Sequence, residues 1–288
     1  MQTAILADVP KHAAFVFLDL RHGHGPREAL GPLARAAHPD HLLVGFGSRL
    51  LSALETSIEG MRPMPALVAP SVSIAVTPSD LVIRVAGADP GEVLHRERAV
   101  LAGLPGFEVV DRVAGFMYSE SRDLTGYEDG TENPVGDDAS AAALRSGAGP
   151  GLDGSSVVAI QRWEHDLDTF ESLPRHAQDH TFGRDRETNE ELDDAPESAH
   201  VKRTAQEDFQ PEAFMVRRSM PWRDARGAGL VFVAFGATLD PFEAVLRRMV
   251  GHDDGIVDAL FGFSRPVTGA TFWCPPVRDG HLDLRALH

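Results

Sequence analysis

One cysteine, Cys274, is all the thiol chemistry this sequence contains. An internal disulfide is therefore excluded, and the chain suits a reducing compartment. Cys274 stands in the run Phe272-Trp273-Cys274-Pro275, which reads as buried strand, so it is expected in the core and not as a nucleophile. Aromatic side chains with a polar edge are scarce, three Trp and two Tyr, which leaves few candidates for electron exchange at the surface. No apolar run reaches the roughly 20 residues of a membrane helix. No twin-arginine or apolar signal opens the chain, and a cytoplasmic protein is expected. Neither HExxH nor CxxC occurs, so the pair His176 and His180, at helical i, i+4 spacing, lacks the company that would make it a zinc site. Basic residues are in deficit: 27 Lys and Arg against 43 Asp and Glu give a formal charge of −16. That argues against nucleic acid or an anionic membrane as partner and toward neutral or cationic small molecules.

What is present in quantity is ordinary globular chain. Hydrophobic residues make up 43 % and charged residues 24 %, as in soluble domains, and the length allows one large or two ordinary domains. Ala13 to Leu20 and Leu42 to Phe46 read as buried strands, with a helix from Pro26 to about Ala37 between them and another from about Arg49 to Glu59. Val72 to Val76, Leu81 to Val85 and Phe107 to Gly115 are further strands, and Pro90 to Leu101 is helical. The small, polar stretch 136–154 reads as a linker between an N-terminal domain, 1–135, and a C-terminal domain, 155–288. Beyond it, 156–160 opens a strand and Asp168 to Phe182 a helix; residues 184–197 are polar surface. Glu212 to Arg218, Gly229 to Phe235 and Ala270 to Trp273 are strands, Asp240-Pro241 starts a helix to about Val250, and Gly255 to Phe263 is a short helix. LLVGFG at 42–47 and VFVAFG at 231–236 each precede a helix, so the halves echo one another. Strands and helices mix without strict alternation, which predicts an α+β fold with an antiparallel sheet in each half.

The richest stretch for chemistry is Gly126-Tyr127-Glu128-Asp129-Gly130-Thr131-Glu132-Asn133-Pro134. Gly130 permits positive φ and close approach; Pro134 pushes Asn133 out of the helical region. The run is a structured loop that either faces water as an acidic turn or aims one carboxylate at a target. The second half supplies His200, in Ser198-Ala199-His200-Val201-Lys202-Arg203, and an arginine on a strand, Arg217 or its neighbour Arg218. Alternate strand residues face opposite ways, so only one of the two arginines enters a given pocket. An interior guanidinium needs a partner.

These residues resemble the dye-decolorizing peroxidases, haem proteins of two ferredoxin-like domains, each a four-stranded antiparallel sheet with flanking helices. GYEDGTENP fits the family's GxxDG signature and its extension; Arg217-Arg218-Ser219-Met220-Pro221 and Phe263-Ser264-Arg265-Pro266-Val267-Thr268-Gly269 fit further runs, and the likeness, closest to bacterial B/P-type members, spans nearly the whole chain. The resemblance implies one haem b per chain, with His200 as proximal iron ligand and Asp258 on its other ring nitrogen. Asp129 and Arg217 then assist O–O cleavage of hydrogen peroxide, with Ser219 two places beyond the arginine as in some bacterial members. Arg203 and the backbone near Thr131 and Glu132 are the candidates for the propionates. A carboxylate on the far nitrogen enriches the ligand, a carboxylate moves the peroxide proton, and a guanidinium meets the growing negative charge. The implied activity is oxidation of dyes and phenolics through a ferryl intermediate by a homo-oligomer taking peroxide and a small-molecule reductant. Glu132 and Glu212 are candidates to line an entrance for a cationic reductant or metal ion. A haem-handling protein of deferrochelatase type, with incidental peroxidase activity, shares the same pocket; an acidic binding module without cofactor is the third reading. The last residues, 278–288, show no match to the family's encapsulation tail.

Overall fold

The computed structural model describes residues 1–70 and 72–287. The first half contributes β1 (His12–Leu20), β2 (Leu42–Gly47), β3 (Leu81–Gly87) and β4 (Phe107–Phe116). The second contributes β5 (Ser156–His165), β6 (Met220–Asp224), β7 (Gly227–Gly236) and β8 (Ser264–Cys274). The helices are α1 (Pro26–Arg35), α2 (Ser48–Ala53), α3 (Pro90–Ala102), α4 (Gly136–Ala143), α5 (Leu167–Ser172), α6 (Arg175–Phe182), α7 (His200–Thr204) and α8 (Asp240–Met249).

Side by side the strands run β4-β1-β3-β2 in the first half and β8-β5-β7-β6 in the second, every pair antiparallel. Both orders are fourth, first, third, second, with helices after the first and third strands. This is the ferredoxin-like arrangement twice over, an α+β fold; LLVGFG lies on the second strand of its half and VFVAFG on the third of its own, so the repeat resides in the topology and not in that sequence match. The half-sheets then join. Phe272 pairs Gly47 and Trp273 pairs Phe46 at one seam; Gly115 pairs Trp222 at the other. Eight strands of the nine-stranded sheet thus close into a ring. The ninth, the two-residue strand Val216–Arg217, lies along the far part of β7.

The two faces of each strand explain the layers. On β7, Val231, Val233 and Phe235 point into the ring with Phe15, Phe17, Leu43 and Phe272. The alternate residues Leu230, Phe232 and Ala234 point outward to a second core under α8. That helix offers Phe242, Val245, Leu246 and Met249 at i, i+3, i+4, i+7, a single apolar stripe. Its last turn carries Arg247 and Arg248, which suit the negative end of the helix dipole. Truncating fully buried Leu246 to Ala there costs about 2–5 kcal/mol. A third core, around Val44, Leu50, Ile83 and Trp273, sits outside the first half under α1, α2 and α3. Among the described residues no helix is long and apolar enough to cross a membrane.

Several expected boundaries moved. The stretch read as linker carries α4 and a run of turns, because Ala139 and Ala143 bury a small apolar face against the ring. The single helix expected over 168–182 is two, α5 and α6, broken at Leu173-Pro174, since proline lacks the N–H and forces its predecessor out of helix. The strand expected over 212–218 is only Val216–Arg217, and β6 follows it unannounced. Val72–Ser73 forms no more than a two-residue pair with Val68–Ala69. The short helix expected at 255–263 is one 3-10 turn, Ala259–Gly262.

Candidate active site

His200 opens α7, a helix of five residues too short to stand alone. Arg203 anchors it: its guanidinium grips both Asp254 oxygens at 2.8 Å and the Arg248 carbonyl at 2.8 Å. The His200 ring is fixed from behind by buried Asp258, whose Oδ2 lies 2.7 Å from Nδ1. The other oxygen of Asp258 accepts from Leu260 N at 2.8 Å. A carboxylate so engaged only accepts, so in the neutral ring the proton belongs on Nδ1 and Nε2 is the nitrogen left for a ligand bond. Among the described residues no protein group meets that Nε2.

The acidic loop sorts its carboxylates. Glu128 is held by Arg122 at 2.8 Å and by Asn189 at 2.9 Å; Glu132 is held by Arg184 at 2.7 Å. Asn189 also donates to Thr131 Oγ1 at 2.9 Å. Asp129 alone of the three has no side-chain partner among the described residues, and it faces the same cavity as His200. Arg217 reaches this cavity from the strand beside β7. Its Nε is buried without an acceptor, and among the described residues no carboxylate pairs with it. Arg218 turns the opposite way and donates to the Ala7 and Leu6 carbonyls, so the choice between the two arginines resolves in favour of Arg217.

The cavity lies between the outer face of the second half-sheet and helices α7 and α8. Its inner lobe holds about 940 Å³ free of protein atoms, counting the solvent-open space at its mouth. Its walls are Leu230 and Phe232 from β7 and Phe242, Val245, Leu246 and Met249 from α8. An outer lobe opens past Asp129, His200 and Arg217 to a rim that includes Thr131, Glu132, Glu191, Lys202 and Glu207.

The far end of the inner lobe was not foreseen from the sequence. Gln161, Trp163 and His165, alternate residues of β5, all line it with Asp123. His165 bonds Ser264 Oγ through Nδ1 at 2.6 Å and Asp123 through Nε2 at 3.1 Å. Thr125 adds two bonds to Asp123, from N at 2.9 Å and Oγ1 at 2.6 Å. Burial pushes the Asp123 carboxyl up, but the bond and charge of His165 and the Thr125 bonds outweigh it and hold that carboxyl below its ordinary range. Tyr127 stacks on Phe182 at 4.0 Å and donates to Asp179 at 2.5 Å. Burial first, then the Asp179 bond and charge, push its phenol far up. The one available sign of this end was β5 itself, which turns from the apolar run Val157 to Ile160 to the polar-rich run Gln161-Arg162-Trp163-Glu164-His165.

Not every nominated residue comes to the cavity. Arg203 spends its guanidinium on Asp254 and the end of α8, because a buried cation takes the nearest carboxylate. Ser219 is buried next to Val233, whose N–H reaches its Oγ at 3.5 Å; the break between Val216–Arg217 and β6 ends the alternation that would have aligned it with Arg217. Glu212 faces a separate surface groove that also touches Glu132. His176 and His180 lie 6.3 Å apart on α6, and among the described residues no cluster is fit to hold a metal ion.

The donor set suits a planar metal-bearing ring. One imidazole nitrogen is free, its partner is pinned by a carboxylate, the walls are apolar, and an acid and an unpaired guanidinium border the same space. Comparison with known proteins points the same way. Residues 120–279 match the family model described as Dyp-type peroxidase, C-terminal. A dye-decolorizing peroxidase of Rhodococcus erythropolis is 33 % identical over 247 residues, covering 81 % of this chain and 71 % of the relative. Among solved structures, a dye-decolorizing protein from V. cholerae is 30 % identical with a TM-score of 0.83, covering 96 % of this chain and 97 % of its own. A variant of Rhodococcus jostii RHA1 DypB in complex with heme is 27 % identical with a TM-score of 0.85, covering 96 % of each chain.

Proposed function

The chain belongs to the dye-decolorizing peroxidase family of oxidoreductases, and from that membership we propose that it reduces hydrogen peroxide at one haem b held through His200, at the expense of organic donors such as dyes and phenolics. The observation that carries the proposal is the meeting, in one cavity, of a free His200 Nε2, an unpaired Asp129 and an unpaired Arg217. Haem, when bound, supplies the redox centre that accepts electrons from the donor and delivers them to peroxide.

The chain's own part is positional and acid–base. Asp258 fixes the tautomer that leaves Nε2 as ligand and makes it a stronger donor. Asp129 takes the proton from one peroxide oxygen and returns it to the other, so that water is the leaving group. Arg217 faces the negative charge that grows on the departing oxygen and stabilises it. The apolar walls from β7 and α8 keep bulk water out, which strengthens that interaction. The rim of the outer lobe carries more carboxylates than cations, which favours neutral or cationic donors.

The test is a rapid-mixing experiment on the haem-loaded protein. Peroxide should change the haem spectrum quickly, and Asp129→Ala or Arg217→Ala should slow that change by about 100-fold or more. His200→Ala should lose the proximal-ligand spectrum altogether. A protein that binds haem through another residue, or reacts equally fast without Asp129 and Arg217, refutes the proposal. Slow reaction with tight haem binding would instead favour haem handling.

A further inference from the structure

We propose that Asn133 is the positioning residue that sets Asp129 against Arg217; the inference rests on the peroxidase reading above. The Arg217 backbone meets the Asn133 carboxamide at both ends, across 84 residues of sequence. Arg217 N–H donates to Asn133 Oδ1 at 2.8 Å, and Asn133 Nδ2 donates to the Arg217 carbonyl at 3.0 Å. A backbone N–H only donates and a carbonyl only accepts, so the orientation of the amide is fixed. On its other side Arg217 pairs with Ala234 of β7. Asn133 therefore completes the outer edge of the two-residue strand that carries the guanidinium, in the place of a neighbouring strand.

The rest of the motif serves this contact. Gly130 has φ +82°, and a Cβ there would stand 2.8 Å from Asn133 Nδ2. The glycine after Asp129 is thus required twice, for its left-handed backbone and for room beside the Asn133 amide. Asn133 N–H closes the turn on Gly130 O at 3.1 Å, and Pro134 keeps Asn133 extended. Arg184 and Asn189 hold the loop on both sides of Asp129, at Glu128, Thr131 and Glu132, and Asp129 N–H itself bonds the Ser121 carbonyl at 3.1 Å. Of these attachments only that of Asn133 leads to Arg217.

Four haem-loaded proteins test this: Arg217→Ala, Asn133→Ala, the double variant, and Gly130→Ala. The readouts are the peroxide rate, the affinity of the ferric haem for fluoride without turnover, and Tm. Asn133→Ala should slow the peroxide reaction by about 10- to 100-fold, the effect of a misplacement near 1 Å, and weaken fluoride binding in parallel. The double variant should be no slower than Arg217→Ala, because Asn133 acts through that residue. Gly130→Ala should reproduce Asn133→Ala with the amide still present, and it carries the test if Asn133→Ala does not fold. Asn133→Asp, which keeps the acceptor and loses the donor, should fall between. Multiplicative effects in the double variant, or a lowered Tm with unchanged peroxide rate and fluoride affinity, overturn the inference. An Arg217→Ala protein as fast as the wild type overturns the peroxidase roles themselves, a separate outcome.

Discussion

Replacing Asp258 by Asn probes the cavity from the side no ligand touches. Its two oxygens each accept one N–H, from His200 at 2.7 Å and from Leu260 at 2.8 Å, and the residue is buried. An amide has one acceptor for these two donors. If its oxygen stays on Leu260, its NH2 faces Nδ1, the imidazole proton moves to Nε2, and the lone pair toward the cavity is gone. If its oxygen turns to His200, its NH2 opposes the Leu260 N–H and a buried donor is left unsatisfied at about 1–3 kcal/mol. Keeping Nε2 available as ligand therefore costs about 1–3 kcal/mol either way, or roughly 5- to 150-fold in haem affinity. Losses of about 10- to 100-fold are usual when the partner of a ligating histidine is removed. Haem titration of the cofactor-free protein, followed by the Soret band, measures the loss, with Tm of the same protein as the folding control. An Asp258→Asn protein that binds haem as tightly as the wild type, with the same spectrum, would show that this carboxylate does not govern the imidazole.

The remaining predictions concern charge and burial. The Asp123 carboxyl is depressed, so its contribution to stability is full above the ordinary carboxylate pKa of about 3.9 and is lost as pH falls through the lower folded value. Asp123→Asn should flatten that acid limb in a plot of unfolding free energy against pH. Tyr127→Phe should destabilise by about 0.5–1.5 kcal/mol in urea unfolding, since Asp179 loses one donor but keeps Arg175. Burial pushes the Cys274 thiol far up and hides it wholly, so alkylating reagents should label it only at the rate of global unfolding. The acidic rim predicts that kcat/KM for a cationic one-electron donor falls as ionic strength rises, while that for a matched anion rises.

The long strands were legible for two reasons: Leu81 to Val85 is a short buried run rich in β-branched residues, and in Gly229 to Phe235 aromatic and β-branched residues dominate. The repeated half-fold was hinted at only by LLVGFG and VFVAFG, and the match misaligns the halves: the first lies on a second strand and the second on a third strand, so the repeat is one of topology and not of those two stretches. The break at Pro174 is a local proline effect that was there to be read, whereas the boundaries around Ser219 were missed because tertiary contacts, not local propensity, decide them. The site divides the same way. Asp129, His200 and Arg217 were found because residue type and order carry their chemistry, and the cavity gathers them. Arg203 went to Asp254, a partner fifty-one residues away that no local pattern announces. His165 and Asp123 were invisible for the same reason: each is ordinary in its own segment, and only the pairing of β5 with β8 brings Ser264 to the same imidazole.

The stitch between Asn133 and Arg217 also bears on where one mechanical body ends and the next begins. By sequence the acidic loop trails the opening half, but beyond its neighbours Ser121 and Arg122 its tethers, to Arg184, Asn189, Gln206 and Arg217, run to the closing half. The seam at Gly115 and Trp222 is a single backbone pair. Arg162 and Arg226 reinforce it through Asp111. Any shift of one half against the other would therefore carry the loop with the half that holds His200 and Arg217, and Asp129 would keep its place beside them.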